Sequence, residues 1–467
     1  MTSSRALFKA FALASSLAIA VAACGSGSTT PAPASQGAAS QPAASGGAAS
    51  PSAAADACAG DPITLNVWGG YPEVDAVYKA AGEEFTKLHP NVSFTVFSTD
   101  LRGFEQKLTT AIPSGTAGDV VVRTTNFLSR FIDQNLLQPL PEDLNAAITA
   151  NGYAKEVLAD NTYADKMWGM PIFTGGTGIY YNTDMYTEAG ITGPPKSMDD
   201  LIANAYKLVV KDGSGNPTRS GWSLRLAGQG SGVAEKFWIL LLQSGKTLIR
   251  ETPEGSGKWV AEYNGPEGVK LFQMYVDMLK AGVTSLNIDA DAKAFETKQT
   301  AQFLRESWVI PEIATTAPDL VGHYATIAPP VGDILTTESM FVPVAAPHPE
   351  CSWEFIRFMR EPAQQINLVK VSGWPPARQD LGADLDTFLA ENPTYEGFLK
   401  KPDGFALTVT PPIAEFDEIE TKLATHLVEG YADFANLAGN PDKIQELLNT
   451  WADETNTILK DNGHFGG

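Results

Sequence analysis

Between Ile63 and Val122 the apolar residues repeatedly change period, and this constrains the fold more than any other feature. ITLNVW (63–68) alternates apolar and polar, as a strand with one buried face does. Val74, Val77, Tyr78, Ala81, Phe85 and Leu88 then recur at helical spacing, and HPN (89–91) ends that helix. VSFTVF (92–97) alternates again, a helical stretch runs from about Phe104 to Ile112, and DVVV (119–122) is a short unbroken apolar run. A run of that kind suits a strand covered on both faces. Short strands alternating with helices give α/β layers.

The rest of the chain continues the mixture. IYYN (179–182) reads as a strand, Met198–Val210 as a helix and KDGSGNP (211–217) as a turn cluster. Glu267–Lys280 is amphipathic, Ala294–Leu304 reads as helical, and the chain from about Ala414 is mostly helical. Trp238 and Trp353 sit on helix faces and are expected in the core. No internal repeat is evident, and 467 residues suffice for two or three domains.

The N-terminus has a different character. Met1–Lys9 carries Arg5 and Lys9 but no acid, and residues 10–23 are apolar or small, the n- and h-regions of a secretory signal. Val21-Ala22-Ala23-Cys24 resembles a bacterial lipobox, in which cleavage before the cysteine leaves its thiol to carry a diacylglycerol. Residues 25–55 hold no charged residue and almost nothing large and apolar, so they cannot offset the entropy cost of folding. The reading is a signal peptide over 1–23, a lipid anchor at Cys24 and a tether to residue 58. The folded part would then face an extracytoplasmic space. Cys58 and Cys351 remain, either bridged or as buried free thiols, in a compartment that permits disulfides.

A formal charge of −21 repels phosphate backbones and argues against a nucleic-acid partner. The histidines (89, 323, 348, 426 and 464) are scattered, without metal-ligand spacing. GQGSGV (228–233) lacks the strand and the acid of a dinucleotide site. Asn287, Asp289 and Asp291 imitate a calcium loop, but Ala292 and Lys298 stand where its Gly and closing Glu belong. No enzyme, cofactor or metal ion is expected.

Several phrases stand in order at compatible distances: LHPNVSFTV, SGTAGDVVV, DQNLLQPL, GMPIFTGGTGIYYNTDMYTEAGITGPPKSMDDLIANAYKLV, HPECSWEFIRFM and SGWPPAR. Together they resemble the extracellular solute-binding protein family 1, the capture subunits of ABC importers, over roughly residues 62–460. The resemblance implies a two-lobed periplasmic-binding-protein type II fold, α/β in class, with a hinge and a ligand cleft between the lobes. The chain would cross near Phe173–Thr177, Pro329–Val331 and Gly373–Pro376. That gives an N-terminal lobe of 59–173 plus 331–373 and a C-terminal lobe of 178–328 plus 377–467. In this layout Cys58 and Cys351 belong to one lobe and are expected to form a disulfide.

Sugars present apolar C–H faces and paired hydroxyls, which aromatic rings and directed polar groups match. Trp68 and Tyr71 flank the WGGY loop after the first strand, where open α/β sheets place ligands. Arg123, Thr125 and Asn126 follow DVVV in an equivalent loop. Trp222, Arg225 and Gln229 are candidates from the other lobe, Glu306 and Trp308 match the family's cleft-facing loop, and Trp374 sits at the third crossing. If Trp308 stacks on a sugar, its truncation to Ala should weaken binding roughly 30-fold, with little effect on the ligand-free fold. At the first crossing Thr174-Gly175-Gly176 replaces the carboxylate of some maltose-type relatives, so a maltose-like hydroxyl pattern does not carry over.

The resulting expectation is a lipid-anchored receptor that binds a carbohydrate reversibly and delivers it to two permease chains and their ATPase. The rivals are a non-sugar solute, an anion or a polyamine, and an anchored carbohydrate-active enzyme. The enzyme needs two carboxylates facing each other across the cleft.

Overall fold

The structure, a computed structural model, describes residues 57–228, 230–288 and 292–467. The signal peptide, Cys24 and the tether to residue 56 lie outside the described residues, as do Gln229, Asp289 and Asp291.

The main strands in chain order are β1 (Ile63–Gly69), β2 (Val92–Ser98), β3 (Val120–Thr124), β4 (Met170–Gly175), β5 (Thr177–Asn182), β6 (Gln302–Glu306), β7 (Tyr324–Ile327), β8 (Gly332–Phe341) and β9 (Ala406–Val409). One sheet has the order β9-β8-β3-β1-β2, with β4 also paired to β8. In it β1 runs parallel to β2 and β3, and β8 runs antiparallel to β3 and β4. The second sheet is antiparallel, with β5 between β6 and β7. The architecture is α/β and two-lobed.

Local sequence explains these elements. Ile63, Leu65 and Val67 of β1 are buried at every second position. The unbroken run of β3 is covered on both faces: Val120 and Val122 pack with Leu65, Phe85 and Trp353, while Val121 packs with Phe104, Leu128 and Phe341. The helix Leu101–Ser114 begins where the Asp100 carboxylate accepts from the Gly103 amide at 3.0 Å, and ends at Gly115, whose φ is 69°. The core of the second half gathers Phe237, Trp238, Phe272, Tyr275 and Tyr431 from the helices Gly232–Leu242, Pro266–Lys280 and Phe416–Ala432.

The expected helix Ala294–Leu304 is not formed as such. A short helix, Ala292–Glu296, gives way to a turn in which Lys298 takes φ 59°, a left-handed conformation that ends the helix. The chain then enters β6, where Phe303 and Leu304 are buried beside β5. Two apolar residues from a strand had extended a short helical pattern.

Gly175 and Gly176 separate β4 of the first sheet from β5 of the second. A Cβ on Gly175 would lie 2.2 Å from the Thr336 Oγ1, so any side chain there would force that hydroxyl to move. Asp333, 1% exposed at the start of β8, ties the sheets together. Its Oδ2 accepts from the Thr177 amide at 2.6 Å and the Thr177 hydroxyl at 3.0 Å. Burial pushes its carboxyl up to about 6, against Lys401 and these hydrogen bonds.

Cys58 and Cys351 form a disulfide. It fastens the start of the described chain to the helix Pro349–Met359, across a sequence separation of 293.

Candidate functional site

Four helices begin at one cavity of about 1150 Å³, lined among others by Leu101, Asn126, Gly232 and Phe416. Helix starts carry partial positive charge, which explains the acids Asp100, Glu235, Asp417 and Glu418 on the rim.

On one wall the Arg123 guanidinium bridges two carboxylates. It donates to Glu105 Oε1 at 2.5 Å and Glu338 Oε1 at 2.7 Å. The Tyr71 hydroxyl donates to the same Glu338 oxygen at 2.9 Å. All three charged side chains are nearly buried, with 11%, 10% and 3% exposed for Arg123, Glu105 and Glu338. Burial pushes the Glu338 carboxyl up, and Arg123 only partly offsets it. Behind Tyr71 the rings of Phe173 and Trp374 stand at 5.7 and 5.6 Å, and the Trp374 indole donates to Glu73 at 3.1 Å.

The other wall has its own network. Lys236, 4% exposed, pairs with Glu235 at 2.6 Å and with Glu306, to which Arg305 also donates at 2.8 Å. Burial opposes ionisation of Glu306, but Lys236 and Arg305 outweigh it and hold the carboxyl well below the usual range. Arg225 also lines the cavity, and its Nε has no hydrogen-bond partner among the described residues. Half-buried Trp308 lies under the Arg305 guanidinium, 5.1 Å from its ring centre, and packs on two core clusters.

The cavity therefore brings together Tyr71, Arg123, Asn126, Arg225, Glu306, Trp308 and Trp374. Three expected residues lie off its lining. Trp68 packs against Phe97 at 5.0 Å beneath the Lys107 ammonium. Thr125 is 3% exposed, with its hydroxyl 3.3 Å from Asn161. Trp222 is fully buried in the second-half core, because its strand-like segment runs beside β6 rather than over the cleft. Sequence reasoning missed Glu73, Glu105, Asp160, Lys236 and Glu338, all of which line the cavity. Two had a signal: Glu338 is a charge in the interior of the buried strand GDILTTESMF, well past Asp333 at its start, and Lys236, next to Glu235, interrupts a helix that is apolar from Phe237 onward, GVAEKFWILLL.

Residues 80–397 match the model of the bacterial extracellular solute-binding proteins. The chain belongs to that family. Like other extracellular solute-binding proteins, it is expected to work outside the cytoplasm, with permease components. A binding protein of Brucella abortus (strain 2308) is 23% identical over 363 residues, 76% of this chain and 80% of the relative. The lactose-binding protein of Rhizobium radiobacter is 29% identical over 155 residues, 32% of this chain and 35% of that one. A Thermotoga lettingae solute-binding protein bound to α-D-tagatose superposes with a TM-score of 0.71 at 21% identity, covering 85% of this chain and 100% of that chain. UgpB of Mycobacterium tuberculosis, in complex with glycerophosphocholine, gives 0.70 at 16% identity, covering 86% and 99%. At such identities these structures show the shared fold of solute-binding proteins, not a shared ligand.

Proposed function

We propose that this solute-binding protein captures a carbohydrate in the cavity and hands it to the permease of an ABC importer. The observation that carries the reading is the pairing of aromatic surfaces with directed polar groups. Tyr71, Trp308 and Trp374 supply rings, while Glu338, Arg123, Arg225 and Asn126 supply hydrogen-bonding groups. A cavity of about 1150 Å³ exceeds the roughly 300–1,000 Å³ of ordinary small-molecule pockets, leaving room for an oligosaccharide. The tagatose-bound and lactose-binding relatives support this class of solute. The two lobes, 59–173 plus 331–373 and 178–328 plus 377–467 except that β9 pairs with the start of β8 in the first sheet, would close by rotation where Gly175–Thr177 meets Asp333.

Calorimetric titration with mono- and oligosaccharides tests the proposal, and binding by none of them overturns it. Trp308→Ala should weaken the sugar that binds roughly 30-fold. Since the ring also packs on two core clusters, the same change should cost about 1–2 kcal/mol of ligand-free stability. Unchanged affinity would remove Trp308 from the site.

The binding protein is not an enzyme on this reading. Glu306 is occupied by Lys236 and Arg305, so it is poorly placed to give or take a proton. Labelled oligosaccharides should be recovered intact after incubation.

The Cys24 anchor belongs to the same proposal and rests on the lipobox-like sequence. Cys24→Ser should move the protein from the membrane fraction to the soluble one, and an unaltered distribution would exclude the anchor.

A further inference from the structure

Three acids around the cavity sit neither at a helix start nor in a balanced ion pair: Glu420 on the wall that carries Glu235, and Glu338 and Asp160 together on the other. The rim acids sit at helix starts, where the backbone favours negative charge. Asp160 is instead the last residue of the helix Lys155–Asp160, the end that disfavours an acid. Glu338 lies in the interior of β8, 3% exposed, and its Oε2 is buried with no hydrogen-bond partner among the described residues. Both line the cavity.

The local cations do not balance them. Arg123 is shared between Glu338 and Glu105. Asp160 accepts from the Thr337 amide at 2.8 Å and has no ion pair among the described residues. On the opposite wall Lys236 and Arg305 are taken up by Glu235 and Glu306, and Arg225, which pairs with no acid among the described residues, is offset in charge by the unpaired Glu420. A sugar hydroxyl satisfies the orphan Glu338 oxygen but leaves the surplus negative charge buried. An ammonium group satisfies both, through a charge-assisted hydrogen bond.

We propose that the carbohydrate carries a free amine, seated as an ammonium against Glu338 and Asp160. This rests on the carbohydrate reading and narrows it to amino sugars or their oligomers. The ionisation of the wall agrees. Burial pushes Asp160 up to about 7, opposed by its hydrogen bonds from Thr337 and reinforced by Glu338, and it raises Glu338 itself. A bound cation draws both back down, so binding below neutrality should release protons. Titrations in buffers of different ionisation enthalpy read this directly.

The test is calorimetry on the full chain in detergent, with matched pairs: glucosamine and glucose, galactosamine and galactose, mannosamine and mannose, and the β-1,4 trisaccharides of glucosamine and glucose. In at least one pair the amine form should bind tenfold tighter or more. N-acetylation of that sugar should erase the gain, and Glu338→Gln should cut the preference below threefold. Neutral members binding as well as or better than their amines would overturn the inference and leave the carbohydrate reading standing. Spermidine binding without any sugar binding would overturn both, and binding by no member of the set also counts against the inference.

Discussion

Replacing Arg123 with Met is expected to destabilise the protein by about 3–5 kcal/mol, because it leaves the buried Glu338 without a cation and Glu105 with only the half-exposed Arg102. Each carboxylate is at most 10% exposed, so water cannot take over. Arg123→Lys should recover only part of the loss. An ammonium is a point charge, whereas the guanidinium addresses Glu105 through two nitrogens and Glu338 through a third. Adding Glu338→Gln to Arg123→Met should restore some stability, since one of the stranded charges is then gone. Denaturant midpoints on the two single variants and the double variant measure this. A loss under about 1 kcal/mol for Arg123→Met, or strict additivity in the double variant, would show that the cluster is not coupled as described.

Cys351→Ser should be comparably costly, at about 2–5 kcal/mol. The bond joins residues separated by 293 positions, so its loss frees a very long loop in the unfolded chain. Both cysteines are buried in the core of the first sheet, so a serine hydroxyl there adds a polar group without a partner. Reductant should lower the melting temperature of the native protein towards that of Cys351→Ser and leave the variant where it is. If reductant shifts neither, or if unfolded native protein titrates with two free thiols, the disulfide does not contribute in this way.

The sequence disclosed elements wherever one physical cause dominated. Val120–Val122 could be read as a strand covered on both faces because no polar residue interrupts the run, and the structure places a core on each side. The stretch 294–304 misled because Phe295 and Phe303 are compatible with a helical face, and only the backbone conformation at Lys298 breaks it. Of the expected aromatics, Tyr71, Trp308 and Trp374, whose loops or crossings could be placed along the chain, do line the cavity, whereas Trp68 packs against Phe97 instead. The carboxylates of the site were less legible. Glu338 meets Tyr71 across 267 positions and Arg123 across 215, and no local pattern encodes such meetings. Trp222 shows the converse: an indole near the right loop is fully buried because a neighbouring strand claims its segment.

Strand β8 holds Asp333, tied to Thr177 at the junction of the two sheets, and Glu338, on the wall of the cavity. Between them runs a lever arm of roughly 17 Å, at about 3.3 Å per residue. A turn of ten degrees about the tie sweeps the far end by roughly 3 Å, which is the difference between a made and a broken hydrogen bond. On the lobe closure proposed above, the angle at the junction and the grip on a solute would be one mechanical coordinate, with a single extended strand as the link between them.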